Sequence, residues 1–289
     1  ASEVFRSYQG QLDKKEDCLA PVFLCDPSRP DKTFPIYGQC GDAVEIAPYR
    51  LKSSSDDSRF IEQEENYFFW AREAASPRPW FWIPEAFVLN PDAKNKALRM
   101  LEPQELRLQA FAALGHGAQG IHYYTYRSGA GTHAGFQESP HLMEAIKTLN
   151  AEVKHLQPFL ESAFPASIKT VGHPDRGARV YTLWSGEKGV LVIVRNLDYV
   201  TDKRENELGA KPRFQSRPKR KVLVTVRKPA WLTVKMVVDP LDAKRSAFPY
   251  RIEGDKIVFE IRDLELVKVA WIENVTPHSD VQNLQTPNQ

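Results

Sequence analysis

The chain of 289 residues has little cysteine, almost no net charge and no long apolar run, and each shortage removes a class of protein. Its three cysteines, Cys18, Cys25 and Cys40, fall within the first forty residues without CxxC spacing. They make neither a zinc site nor a disulfide framework, and the odd count leaves at least one thiol unpaired within the chain. Buried small apolar side chains are one reading of them; a Cys18–Cys40 or Cys25–Cys40 bridge is the other, and the redox compartment stays open between the two. A formal charge of +2 is too small to steer the chain to nucleic acid or an anionic membrane. The local cluster Arg217, Lys219, Arg220 and Lys221 reads as a solvated loop before a strand. No apolar stretch approaches the ~18 to 20 residues of a bilayer span, and the sequence opening at Ala1 has no signal-peptide pattern, so a soluble chain is expected. There is no GxSxG elbow, no HExxH and no calcium loop. The SGAG at Ser128 to Gly131 lacks the Lys and Ser or Thr of a phosphate loop. No metal and no cofactor are called for.

What is present is enough apolar and aromatic content, 42% and 11%, to bury one large core or two. Glu3 to Leu19 has helical apolar spacing, APVFLCDP reads as a buried strand stopped by PSRP, and GDAVEIAPY as a second strand. Arg59 to Ala75 suits a helix capped by Asp57 or Ser58. Pro79 to Phe87 is a third strand, Pro103 to Leu114 a helix that Gly115 or Gly117 can end with a left-handed residue, and Gly120 to Tyr126 a fourth strand. The loop RSGAGTHAGFQESP leads to a long helix, His141 to about Ser162. Strands separated by helices of this length imply parallel pairing. After Pro165 the pattern turns to short, β-branched, alternating runs such as RVYTLWSG and GVLVIVRNL, expected to form an antiparallel sandwich. The expected divisions are 1–164, 165–275 and a frayed polar tail, 276–289.

Within the first division, ELRLQAFAALGHGAQGIHYYTY resembles the seventh helix and eighth strand of clan A type (β/α)8 glycoside hydrolases, a group that includes β-galactosidase-like enzymes. PVFLCDP resembles their fifth strand and YGQCGDAVEIAPY their sixth. The resemblance covers about residues 3–162, with a weaker topological likeness over the sandwich. It implies α/β plus all-β architecture: a partial (β/α)8 TIM barrel, about strands 5 to 8, followed by a β-sandwich. It also implies carbohydrate as partner, O-glycosidic cleavage with retention, and, faintly, a secreted or periplasmic setting. Glu85 in WIPEAF matches the nucleophile at the tip of the seventh strand. A retaining mechanism needs a second, protonated carboxyl ~5 to 5.5 Å away, which the family carries in Asn-Glu-Pro after the fourth strand. This chain has no such tripeptide. It therefore reads as part of a longer polypeptide, as a half barrel needing another chain, or as a non-catalytic carbohydrate-binding or assembly protein on a degenerate barrel.

Around Glu85, which is expected to face substrate from the open end of the barrel, several residues are candidates for sugar contact. Tyr124, Tyr126 and Arg127 end the eighth strand; Tyr124 reads nearly as well as core. Trp82 shares a face with Trp80, opposite Phe81, Ile83 and Glu85, so packing under the helices competes with a binding role. His133 sits in the Gly-rich loop. Where relatives carry an Asp before Tyr-Pro, this chain has Ala47, and Asp42 or Glu45 stand as replacements. His122 reads as a satisfied interior histidine, and His116 as a hinge residue bonding backbone carbonyls.

Overall fold

The computed structural model describes residues 22–25, 30–38, 41–49, 60–89, 100–129, 133–201 and 214–275. The expected helix over 3–19, the expected caps Asp57 and Ser58 of the helix 59–75, Cys18, Cys40 and the tail 276–289 lie outside them.

The first part alternates strands and helices. β1 (Val22–Cys25), α1 (Pro30–Tyr37), β2 (Ala43–Ile46), α2 (Phe60–Ala75), β3 (Trp80–Trp82), β4 (Phe87–Leu89), α3 (Pro103–Gly115), β5 (Gly120–Ile121), β6 (His133–Gly135) and α4 (Pro140–Leu160) follow in order. Strands β1, β2, β3 and β5 form one parallel sheet in that order. The apolar side chains of Val44, Ile46, Trp80 and Trp82 are buried together with Phe68 of α2 and much of α3. Residues i and i+2 share one face of a strand, so the other face carries Glu45, Phe81 and His122.

Three local features depart from the sequence expectation. The next described element after β1 is the helix α1, started by Pro30 at its first position, where a missing N–H costs nothing. The third strand is split: β3 stops at Trp82, and Phe87–Leu89 leaves the sheet to pair antiparallel with His133–Gly135. The Gly-rich loop thus supplies a strand, because Gly135 lets the backbone pass Tyr126, whose carbonyl oxygen lies where a β-carbon would stand. The fourth strand is likewise short, Gly120–Ile121, and continues only as a bridge at Tyr124.

Helix α3 begins with a capping box, the Glu102 backbone N–H donating to the Glu105 carboxylate at 2.7 Å. Gly117, at φ +87, ends it. Gly115 serves another purpose: an added β-carbon would fall 2.4 Å from Cγ of Tyr181, so only glycine lets the helix lie this close to the strand carrying that tyrosine. His116 does not bond backbone carbonyls. Its ring is wedged between Phe68 and Tyr181, with Nε2 4.0 Å from the Glu65 carboxylate. Burial there pushes the imidazole below its ordinary value.

The second part is an antiparallel sandwich of β7 (Ala163–Val171), β8 (Ala178–Ser185), β9 (Gly189–Asn196), β10 (Tyr199–Thr201), β11 (Phe214–Ser216), β12 (Lys219–Arg227), β13 (Val234–Val238), β14 (Tyr250–Glu253), β15 (Lys256–Leu264) and β16 (Val267–Asn274). A five-stranded sheet, β13-β16-β9-β8-β7, faces a three-stranded one, β12-β15-β14, with β10 and β11 paired beside them. One face of the larger sheet meets the smaller through Val180, Val192, Val224, Phe259 and Ile272. Its other face, including Tyr181, Leu183, Ile193 and Trp271, packs on the helices of the first part. Coverage on both faces explains why β9 is buried at every position and reads as an unbroken apolar run. The basic cluster is not a free loop: Lys219 and Lys221 lie in β12, where they meet Asp198 and Glu260.

A buried charged cluster joins the two parts. Arg195 of β9, 0% exposed, donates to Glu62 at 3.0 Å and to Glu65, both on α2. Arg179 stands 3.6 and 3.3 Å from the same two carboxylates, the Tyr181 hydroxyl donates to Glu65, and the Tyr199 hydroxyl donates to Glu62 at 2.9 Å.

Candidate active site

The C-terminal ends of β3 and β5 hold the candidate residues. Past Trp82 the chain runs Ile83, Pro84, Glu85, and Glu85 forms a parallel bridge with Tyr124; the Ala86 N–H donates to the Tyr124 carbonyl at 2.9 Å. Along the extension of β5, His122, Tyr124 and Tyr126 are exposed while Ile121, Tyr123 and Thr125 are partly buried. This is the period of two expected of a strand with one open face. Glu85 itself is only 4% exposed. Its charge contributes to raising the Tyr49 hydroxyl, after the larger effect of burial and alongside Tyr124 and Glu45.

Aromatic rings surround the bridge. Tyr49 stacks on Tyr124 with centroids 6.5 Å apart, and Phe87 meets Tyr49 and Tyr124 edge-on at 5.3 and 5.1 Å. The β4–β6 pairing brings His133 opposite Leu89, with its ring 6.0 Å from that of Phe87. A 3-10 turn after β6 donates back from Phe136 and Gln137 to the carbonyls of Thr125 and Tyr126, which ties the β4–β6 pair to the strand end. One step down the strands, His122 stacks on Phe81 at 5.1 Å, 11° from parallel, and its Nδ1 meets the Glu45 carboxylate. The imidazole is thereby oriented with Nε2 on its far side. His122 is partnered, as a satisfied histidine is, but it is not interior: its side chain is 56% exposed.

Among the eight candidates, Glu85, Tyr124, Tyr126, Arg127, His133 and Glu45 are carried on this end or this open face of the sheet. Two stand elsewhere. Trp82 is in the core, its Nε1 donating to Glu64 at 3.1 Å and its ring edge-on to Phe68, because strand alternation turns it away from the face of Phe81. Asp42 precedes β2 and so lies at the opposite end of the parallel sheet from Glu85. Sequence reading passed over Tyr49 and Phe87. Tyr49 lies three residues past the end of β2 and Phe87 opens β4, five residues past the end of β3; an aromatic shortly after a parallel strand is the available signal.

Behind the sheet lies a second unusual carboxyl. Glu64 is buried under Trp82 and Gln109, and burial raises its pKa to about 8, against the lowering effect of those two contacts and with a further push from Glu85. Its Oε2 is 2.6 Å from the Gln109 amide, a separation that suits O–H···O better than N–H···O. A half-turn of that amide lets protonated Glu64 donate to the Gln109 oxygen while still accepting from Trp82. The folded value exceeds the ordinary 4.5. The unfolded chain therefore releases this proton first as pH rises, and stability present in full below pH ~4.5 is lost up to about pH 8. Glu64→Gln keeps both hydrogen bonds without the titration. We expect the variant to match the wild type at pH 4.5 and to exceed it by about 2–4 kcal/mol at pH 8 in urea unfolding. A constant difference at both pH values would show that Glu64 is ionised in the folded chain.

No family model and no curated protein sequence matches the chain. Among solved structures it is similar to the α-amylase from H. orenii, at 11% identity and a TM-score of 0.48, covering 94% of this chain and 57% of that one. It is similar to a glycoside hydrolase family 5 protein from Bacteroides vulgatus, at 10% identity and a TM-score of 0.47, covering 93% and 66%. A third is the β-galactosidase from the psychrophilic Marinomonas ef1, at 19% identity and a TM-score of 0.41, covering 54% and 27%. These neighbours are glycoside hydrolases, and the chain spans between 27% and 66% of their lengths.

Proposed function

We propose that the chain is the carboxyl-terminal portion of a retaining glycoside hydrolase: strands 5 to 8 of a (β/α)8 barrel, 1–164, and a β-sandwich, 165–275. The observation that carries this reading is the Glu85–Tyr124 bridge, a carboxylate and an aromatic side by side at the C-terminal ends of parallel strands, the end where barrel enzymes place their chemistry. Glu85 attacks the anomeric carbon and forms a glycosyl ester. Tyr124 and Tyr126 stack on the sugar, and Arg127 and His133 bond its hydroxyls. The Glu45–His122 pair bonds hydroxyls from the sixth and eighth strands. The carboxyl that protonates the leaving oxygen and later activates water comes from outside these residues, in the half barrel that completes the sheet. β1 and β5 are the two edges of the described sheet, and unpaired edges call for a partner strand.

The test is hydrolysis of a panel of aryl glycosides and polysaccharides by the protein and by Glu85→Gln. Loss of the nucleophile is expected to lower turnover at least about 10³-fold. Equal turnover by the two would overturn the assignment and favour a carbohydrate-binding protein built on the same fold.

A further inference from the structure

The sandwich carries exposed aromatics that its own core does not use. Phe164 and Trp184 are directly opposed on β7 and β8, so their side chains stand on one face, at 63% and 36% exposure. Trp231, 39% exposed, comes from the loop between β12 and β13 and meets Trp184 edge to face, with centroids 6.4 Å apart and planes at 89°. The two indoles form perpendicular walls of a concavity of 560 Å³, whose rim includes Arg227, Lys228 and Asp255. This volume lies in the range of small-ligand sites.

The corner is held in place. Leu232, next to Trp231, is fully buried. The Leu232 N–H donates to Pro229 at 3.1 Å, the Lys228 ammonium donates to the Leu232 carbonyl at 2.9 Å, and the Lys228 N–H donates to the Asp255 carbonyl at 2.7 Å. Pre-set geometry of this kind lowers the ordering cost of binding. On the rim, Arg227 Nε and Asp255 Oδ2 are 3.8 Å apart, both side chains mostly exposed, so a donor-only group and an acceptor-only group stand side by side.

We propose that the Phe164, Trp184 and Trp231 strip is a second carbohydrate site, taking pyranose rings of a polysaccharide. A pyranose has an apolar C–H face that covers an indole, and a rim of hydroxyls, each both donor and acceptor. Adjacent hydroxyls match the Arg227 and Asp255 pair. A purely apolar ligand leaves that pair unused, and a protein partner needs a far larger surface than these few rings, ~800 Å² on each side. The inference takes only its ligand class from the glycosidase reading; binding here involves no residue of the Glu85 mouth.

Native electrophoresis in gels containing hydroxyethyl cellulose, laminarin, galactan or amylopectin tests it. Retardation is expected in at least one gel. Trp184→Ala and Trp231→Ala are each expected to raise the apparent Kd about tenfold or more, Asp255→Asn to raise it severalfold with an unchanged thermal melt, and Glu85→Gln to leave it unchanged. Migration unaffected by all four polysaccharides overturns the proposal. So does retardation that survives both tryptophan variants, or retardation that Glu85→Gln abolishes, which would place binding at the mouth. Failure of hydrolysis by the wild type leaves this measurement intact, so the two readings fail separately.

Discussion

Incubation with 2-deoxy-2-fluoro glycosyl fluorides is expected to add a single glycosyl group to the chain, on Glu85, and none to Glu85→Gln. In a retaining mechanism the carboxylate oxygen forms a bond to C1 as the bond from C1 to the leaving group breaks. With an ordinary glycoside, a second carboxyl must protonate the departing oxygen. Fluoride leaves with its electron pair and needs no such proton. The fluorine at C2 draws electron density from the developing cation and slows both steps, while the good leaving group keeps the first step fast enough for the ester to accumulate. The experiment thus isolates the half-reaction that Glu85 is proposed to perform, independent of where the acid/base carboxyl comes from. The burial of Glu85, 4% exposed beside Tyr49, Tyr124 and Phe87, favours the attack, because a carboxylate stripped of water is a better nucleophile once a cationic centre is presented to it. Mass spectrometry of peptic digests locates the label. Labelling of another carboxylate, or equal labelling of Glu85→Gln, removes Glu85 from the nucleophile's role.

Much of the frame around Glu85 was legible because it is dictated locally. Pro103 has its φ preset for the first turn of a helix, Gly117 can adopt the left-handed turn that ends it, and an aromatic run such as WFW followed by Ile-Pro-Glu fits a buried strand that stops at a carboxylate. Alternation also puts Trp80 and Trp82 on one side and Phe81 on the other before any contact is known. What the sequence did not disclose is set by partners distant in the chain. The β4–β6 ladder joins Phe87–Leu89 to His133–Gly135, more than forty positions away, and glycine-rich composition masks the strand. Tyr49, which follows β2, becomes a mouth residue only when the extension of β5, two strands away in the sheet, supplies Tyr124. The run FIEQEENYFFW looks like a helix with a solvated acidic face. Instead Glu62 and Glu65 are claimed by Arg179 and Arg195 from the sandwich, and Glu64 by Trp82 and Gln109. Helix α2 has partners on both sides, so its charges are structural where composition alone would leave them in water.

That charged cluster sets the second large effect: Arg195→Met is expected to destabilise the protein by about 3–5 kcal/mol, read as a fall in urea midpoint at pH 7. Burial alone would push the Glu65 carboxyl up, but Arg195, with His116 and Arg179, holds it down to about 2. The folded value lies below the ordinary one. Its contribution to stability is therefore complete above pH ~4.5 and is lost as the pH falls toward 2. Removing the guanidinium takes away the strongest opponent of Glu65 desolvation and leaves only His116 and Arg179, the latter partly open to water, so the carboxyl shifts toward its neutral form. The slope consequently changes sign: between pH 6 and 3 the wild type weakens through this group, whereas Arg195→Met gains stability as Glu65 takes up a proton. Combining Arg195→Met with Glu65→Gln is expected to recover much of the loss at pH 7, since two neutral groups of similar volume leave no unpaired buried charge, and the coupling in that double-mutant cycle measures the pair directly. Additive losses, with the same pH slope in wild type and variant, would mean that Arg195 acts through packing alone. The cluster anchors α2, the helix packed behind β3, to the sandwich strands β8 and β9. On the proposed reading, Arg195→Met at a pH where it remains folded is therefore also expected to slow the labelling of Glu85, and Arg195→Met with Glu65→Gln to restore part of that rate.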